Sequence, residues 1–488
     1  MSTPVFLHSL VDGNWLDGAG DALTSINPAH PDRVVAEGSL VGQSELDRAV
    51  GAAQTAKRGW ARTPAHERGA ILLCAAKVVE DSAPEWGAEL AMEEGKTKAE
   101  GVGEVLRAAQ ILRYYGNDAD RTAGEVFSSP RRGERILVTR KPVGVVGVIT
   151  PFNFPIAIPT WKIAPALTYG NTVVWKPASA VPLLAMRLAQ ALDAAGLPAG
   201  VLNLLLGNGG VGNAIVEHEG IDAVTFTGST GIGRKIAAAG AGRGVAVQAE
   251  MGGKNAAVVL ADADLELAAE QVMFGAFRST GQKCTATSRL IVAEAIADEF
   301  LAELGKRANA LVVGDPLADG VEMGPVVNAA AQSSIRSGIE RAVEQGARYV
   351  GGTDRADAGV PGSGFFVPPT ILEVQSNQDD LWREELFGPV LAVKRAGSVE
   401  EAFTLANDGD FGLSAAVFTQ DLTRTLDAID EIDVGILHVN SESAGADPHV
   451  PFGGAKKSGY GPKEQGQSAR EFFTHTTTVY LRGGAPTQ

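Results

Sequence analysis

An α/β fold, with strands and helices alternating in two successive series, is predicted by three features of this sequence. The first is the run Val143-Gly-Val-Val-Gly-Val-Ile-Thr150, apolar without alternation, the pattern of a strand buried on both faces of a parallel sheet. The second is the pace at which strand-like and helix-like stretches follow it, the pace of βαβ units. The third is a fresh start of the same alternation after Gly252-Gly253.

Residues 5–40 alternate short apolar runs with the turn pairs Asp12-Gly13, Asp17-Gly18 and Asn27-Pro28, as strands and hairpins do. From Ser44 to about Asp120 the period becomes helical. Ser44-Glu45-Leu46-Asp47 reads as an N-cap with acid in the first turn, and Thr63-Pro64 and Ser82-Ala83-Pro84-Glu85 open further helices. A charged stretch from Arg131 to Arg135, read as solvated surface, leads into a candidate extended arm at 136–142. The first α/β series has strands at 143–150, 171–176, 201–206 and 223–227, with helices near 160–169 and 182–195. The second has strands at 256–260, 289–292, 347–350, 390–393 and 415–419, with helices at 265–277, 298–311 and 399–407. No internal repeat or low-complexity tract interrupts them.

Composition excludes several classes of function. A net charge of −16, from 58 acidic against 42 basic residues, has the wrong sign for nucleic acid or an anionic membrane, so neither is expected as a partner. No apolar run approaches the length of a membrane span, and the N-terminus lacks the basic start and long apolar core of a signal peptide. A cytoplasmic location is expected. Two cysteines without CxxC spacing exclude a disulfide framework and a cysteine-rich zinc site. Seven scattered histidines with no HExxH imply no catalytic metal.

The two cysteines keep different company. Cys74 sits in Ile-Leu-Leu-Cys-Ala-Ala, which reads as a packing cysteine. Cys284 sits in Ser279-Thr-Gly-Gln-Lys-Cys-Thr-Ala-Thr-Ser-Arg289, where small and hydroxyl-bearing neighbours leave the thiol approachable as a nucleophile. Two glycine loops compete for a dinucleotide. Gly207-Asn-Gly209-Gly-Val-Gly212 fits GxGxxG after a strand, but the acidic partner about 20 residues on is missing, so a simple turn is favoured. In Phe226-Thr-Gly228-Ser229-Thr230-Gly231-Ile-Gly233, Ser229 or Thr230 can cap a helix begun by Gly231. The positive end of that helix would then face a phosphate. A plain capped turn fits the same residues.

With Cys284, Asn153 and this loop in view, the chain resembles the aldehyde dehydrogenase superfamily over nearly its whole length. The motifs, in the family's order, are Pro151-Phe-Asn-Phe-Pro155, Trp175-Lys-Pro-Ala-Ser179, Phe226-Thr-Gly-Ser-Thr-Gly231, Glu250-Met-Gly-Gly-Lys254, Gly281-Gln-Lys-Cys284, Glu385-Leu-Phe-Gly-Pro389 and Pro451-Phe-Gly-Gly454. The 34-residue step from Glu250 to Cys284 also matches. The resemblance implies an α/β fold of the aldehyde dehydrogenase type. A Rossmann-like NAD(P)-binding domain would occupy 1–120 and 141–252, with 446–468 returning to it, and a catalytic α/β domain 253–445. Small β oligomerisation segments would lie at 121–140 and 469–488. The alternating tail from Thr474 would offer an edge for a neighbouring subunit to cover, giving a homodimer or homotetramer.

Carried over residue by residue, the resemblance implies that the Cys284 thiolate attacks the aldehyde carbon. Asn153 and the Cys284 backbone N–H would stabilise the oxyanion, Glu250 would activate the hydrolytic water, and Lys162 would lend electrostatic support. The implied cofactor set is Thr150, Pro151, Phe152, Lys176, Ser179, Gly228, Ser229, Gly231, Glu385 and Phe387. Within it Lys176 and Glu385 would hold the riboses, Ser229 the pyrophosphate, and Phe387 would pack near the nicotinamide. Three positions after Lys176, many NAD-preferring relatives place a Glu that repels a 2′-phosphate. Ser179 stands there in this chain, so use of both NAD and NADP is expected.

Residues 277–289 and the stretches 449–466 and 469–474 are similar to those of α-ketoglutaric semialdehyde (2,5-dioxopentanoate) dehydrogenases. An oxo-acid aldehyde would need a cation or clustered donors some way from the sulfur. The candidates are Arg107, Arg278, Arg289, Ser288 and His449, with Phe452 on the pocket wall. Other readings stay open: a broader or different semialdehyde specificity, acylation of phosphate or CoA, ester hydrolysis, and a non-catalytic relative that has kept only the fold.

Overall fold

The computed structural model describes residues 3–121, 124–350 and 360–484. Its largest sheet has eight strands, five of them parallel in the order Ala246–Glu250, Ala223–Thr227, Val145–Ile149, Thr172–Lys176, Leu202–Leu204. The chain order therefore reverses at Val145–Ile149. Such a switch point leaves a crevice beyond the carboxyl ends of the strands, and ligands bind there. Antiparallel strands close the edges, Gly459–Tyr460 on one side and Ser9–Val11 with Asn14–Leu16 on the other. Val145, Val146, Val148, Val173, Val174 and Trp175 are all buried, as their lack of alternation requires.

The second series forms a seven-stranded sheet in the order Arg348–Tyr349, Thr370–Glu373, Val390–Ala396, Thr287–Ala293, Asn255–Val259, Ser414–Phe418, Ile436–Val439. It is parallel except for its first pair. A third sheet joins Thr474–Arg482, Glu134–Pro142 and Gly124–Ser128, all antiparallel. Pairing runs unbroken from Thr474 opposite Pro142 to Arg482 opposite Glu134, so the arm expected at 136–142 is the central strand of a sheet. Val126, Phe127, Tyr480 and Leu481 on this sheet are exposed. Of the segments expected to oligomerise, residues 122–123 and 485–488 lie outside the described residues. Among the described residues no helix is long and apolar enough to cross a membrane.

Two local expectations are corrected. The helix Gln43–Arg62 is capped at Gly42, not Ser44, and its first turn is closed by Glu45, which accepts from the Gly42 N–H at 2.9 Å. An acid at the third helical position supplies the closing bond that the glycine cannot. Cys74 is exposed. The buried face of its helix, Ala65–Asp81, is Leu72, Ala75, Ala76 and Val79, and a period of 3.6 turns Cys74 to the opposite side.

Candidate active site

Cys284 comes from the second α/β series yet packs against the apolar cluster of the first. The helix Leu265–Phe277 ends in a tight turn, Arg278–Gly281, in which Ser279 (φ 53°), Thr280 (φ 55°) and Gly281 (φ 66°) are all left-handed. Non-glycine residues in that region are strained by about 1–2 kcal/mol each, so the surroundings must hold them. The Ser279 N–H donates to the Glu100 carboxylate at 2.7 Å, the Thr280 hydroxyl to the Gly324 carbonyl at 3.1 Å, and the Val327 N–H to the Gln282 side-chain oxygen at 3.1 Å. A Cβ at Gly281 would fall 2.3 Å from the Gly388 carbonyl oxygen. Beyond the turn, the Asn255 carboxamide donates to the carbonyls of Cys284 at 2.8 Å and Ala286 at 2.9 Å.

Acids gather on one side of the sulfur. Glu250 ends the strand Ala246–Glu250, is buried, and accepts from the Gly454 N–H at 3.2 Å. Burial, with the charge of Glu464 adding to it, holds its carboxyl well above the usual range. Glu385 accepts from the Gly253 N–H at 3.0 Å, and burial raises it to about 7. Burial, then the charges of Glu385 and Glu250, pushes the Cys284 thiol up to about 12. The resting sulfur is therefore a neutral thiol. Lys162 is buried, donates to the Thr225 hydroxyl at 2.9 Å and is paired with Glu464. Its partner Glu464 was not singled out from sequence, although it lies within the stretch 449–466 that carries part of the resemblance. Asn153 donates to the Gln282 carbonyl at 2.9 Å. A primary amide has a second N–H, which leaves one donor for an incoming oxygen.

At the switch point of the eight-stranded sheet lies a cavity of about 510 Å³, bounded by Ile149, Phe226, Lys176, Gly209, Gly212 and Ile232. Burial lowers Lys176 to about 8. The two helices beginning here differ. Asn208 caps Gly209–Glu217, accepting from the N–H groups of Gly210 at 2.9 Å and Val211 at 3.4 Å, so the GxGxxG match is a capped turn whose glycines form one wall. Ser229 occupies the cap position of Thr230–Arg243 but makes no capping bond, contrary to expectation. The hydroxyls of Thr227 and Thr230 are buried with no partner, and a Cβ at Gly231 would meet nothing within 4 Å. An uncapped helix start with orphaned hydroxyls fits the phosphates of a dinucleotide.

The remaining cofactor candidates take up different positions. Ser179 donates its hydroxyl to the Gly207 carbonyl at 2.9 Å, and the Gly228 N–H donates to the Glu250 carbonyl at 3.1 Å. Thr150 accepts from the Trp175 indole at 2.9 Å and opens the Thr150-Pro151-Phe152 loop that carries Asn153. Phe152 meets Phe387 edge to face, centroids 5.7 Å apart.

A second cavity, of about 300 Å³, reaches Cys284 and is lined by Phe154, Trp161, Phe452, Arg278, Lys283 and Arg107, among others. Trp161 and Phe452 pack with centroids 5.3 Å apart. Arg278 lies 3.5 Å from the Phe274 ring centroid and 3.5 Å from Glu442. Lys283, which sequence reasoning passed over although it adjoins Cys284, is 3.4 Å from the same Glu442. Arg107 pairs with Asp447 at 3.1 Å.

Three substrate candidates are not brought to this cavity. Arg289 donates to the carbonyls of Lys254, Leu405, Ala406 and Asp408 at 2.8–3.0 Å, so its guanidinium is committed to the backbone. Ser288 sits on the adjoining strand with its hydroxyl buried and unpaired. His449 is exposed.

A family model described as the aldehyde dehydrogenase family matches residues 15–479. The alpha-ketoglutaric semialdehyde dehydrogenase of Bacillus subtilis (strain 168) is 43% identical over 476 residues, covering 97% of this chain and 98% of that one. The 2,5-dioxopentanoate dehydrogenase of Saccharolobus solfataricus is 40% identical over 470 residues, covering 96% and 97%. Among solved structures, betaine aldehyde dehydrogenase from Staphylococcus aureus in complex with NAD+ is similar at a TM-score of 0.93 and 31% identity, covering 97% of this chain and 94% of that one.

Proposed function

The chain belongs to the aldehyde dehydrogenase family, and from that premise we propose that it oxidises 2,5-dioxopentanoate to 2-oxoglutarate with NAD or NADP. The observation that supports this substrate is the cavity joining Cys284 to Arg278, Lys283 and Arg107. Arg278 and Lys283 both lie within 3.5 Å of the single carboxylate of Glu442, and their further N–H groups can donate to an incoming acid. The aromatic walls suit the short carbon chain between aldehyde and oxo acid.

When bound, the nicotinamide dinucleotide accepts the hydride. The chain's own residues do the rest. The Cys284 thiol passes its proton to solvent water, and the thiolate attacks the aldehyde carbon. The free N–H of Asn153 and the Cys284 backbone N–H receive the developing oxyanion, a donor of this kind being worth about 3–4 kcal/mol of barrier. Glu250, its carboxyl raised well above the usual range by burial, takes a proton from the water that releases the acid. Lys162 acts through its pair with Glu464, whose charge in turn raises Glu250. The neutral Ser179 beside the Lys176 strand supports dual cofactor use. The three-stranded sheet with its exposed Val126, Phe127, Tyr480 and Leu481 supports a homodimer or homotetramer.

Steady-state kinetics on 2,5-dioxopentanoate, succinic semialdehyde, glutaraldehyde and propanal, each with NAD and with NADP, test the reading. The oxo acid should give the highest kcat/KM and release free acid without phosphate or CoA. Higher values for the simple aldehydes would overturn the substrate, and a preference for NAD above about a hundredfold would remove Ser179 as a basis for dual use.

A further inference from the structure

Lys96 and Glu104 take part in no step above, yet both line the Cys284 cavity and both are buried. A buried ion pair adds little net stability, because desolvation offsets the attraction, so what each partner touches becomes the question. Lys96 Nζ lies 2.8 Å from Glu104 Oε2, donates to the Asn153 carbonyl at 2.7 Å and stands 3.9 Å from the Phe154 ring centroid. The other Glu104 oxygen accepts from the N–H groups of Ile156 at 3.1 Å and Ala157 at 3.2 Å, at the start of the helix Ala157–Thr168. One ion pair thus grips the backbone at Asn153 and again at 156–157. Between those points the chain has no regular strand or helix of its own to hold it.

We infer that the Lys96–Glu104 pair is a positioning device for Asn153, setting the backbone from which its carboxamide reaches the oxyanion. This rests on the proposed role of Asn153 as oxyanion donor. Charged hydrogen bonds in a water-poor interior hold position more tightly than neutral ones, and a 1 Å misplacement of a reacting group can cost about a hundredfold in rate. Helix Lys98–Asp118, which carries Glu104, thereby enters the chemistry without touching the reacting atoms.

A double-mutant cycle tests this, with Asn153→Ala, Lys96→Met and the double variant, all in a Cys74→Ser background so that thiol titration counts Cys284 alone. Expected for Asn153→Ala is a loss of about 10²–10³ in kcat per titrated thiol. For Lys96→Met it is about 10–100-fold, with aldehyde KM within about twofold. The double variant should be no slower than Asn153→Ala within about threefold, because an absent donor cannot be misplaced. Glu104→Gln keeps the acceptor for Ile156 and Ala157 but removes the nearer of two charges facing Lys96, the other being Glu94 at 4.0 Å; it should behave likewise, and it replaces Lys96→Met in the cycle if that variant does not fold. Parental kcat in Lys96→Met and Glu104→Gln, or losses that multiply with Asn153→Ala, would overturn the inference while leaving the oxyanion role standing. Parental kcat in Asn153→Ala would remove both.

Discussion

The two sides of Cys284 differ in how their charges are arranged. Toward Gly253 and Gly454 stand Glu385, half-buried, and the buried Glu250, on which the buried Glu464 acts in turn. Lining the substrate cavity are Lys96, Arg107, Arg278 and Lys283, interleaved with Glu100, Glu104 and Glu442. Burial, with the charges of Glu385 and Glu250 adding to it, pushes the thiol up to about 12, so the ionised acids oppose a resting thiolate. The cavity side carries the cations that could meet an acid-bearing substrate. A net charge of −16 is therefore a poor guide to this site, because the local arrangement sets the field that a substrate meets.

The sharpest way to break the contrast is to neutralise the acidic side. Glu250→Gln should lower steady-state turnover about 10³-fold, within the range of general-base contributions, yet retain a burst of one reduced nicotinamide per site. Loss of the burst as well would show that Glu250 also takes the thiol proton. Next in size is the alkylation of Cys284 by iodoacetamide in the Cys74→Ser background without cofactor. With the thiol at about 12, the thiolate fraction at pH 7 is minute, and the rate should rise about a hundredfold from pH 7 to pH 9. A plateau below pH 8 would mean that the acids do not act on the sulfur as described.

On the cavity side, Arg278→Met should cost about 10–30-fold in kcat/KM for 2,5-dioxopentanoate, the value of one charged hydrogen bond at a half-exposed site. Propanal should be unaffected within about twofold. Equal losses for both substrates would place Arg278 in the scaffold. The smallest effect concerns Lys176, whose folded pKa is lowered to about 8. It is charged below that pH and neutral above, so NADP should lose about fivefold relative to NAD between pH 7.5 and 9. An unchanged ratio would mean that Lys176 does not face the 2′-phosphate.

Much of the fold is legible from local pattern. Helices Leu265–Phe277 and Val399–Asn407 lie where their periodicity predicts, each behind a capping side chain, Asp264 or Ser398. The buried strands follow from unbroken apolar runs. Cys74 escaped because a run of apolar neighbours does not say which of them faces inward. Arg289 escaped because the carbonyls that hold it come from residues 254 and 405–408.

The sequence by itself determined the family, the α/β class and the residue types at the chemistry, because motif spacing and hydrophobic period are local properties. Only the tertiary structure decided which groups meet. Lys162 finds Glu464, Asn153 finds Gln282, and Lys96 finds the carbonyl of Asn153, at sequence separations of 302, 129 and 57 residues. The raised thiol and carboxyls follow from those meetings, since desolvation and the field of neighbouring charges exist only once distant segments have packed together.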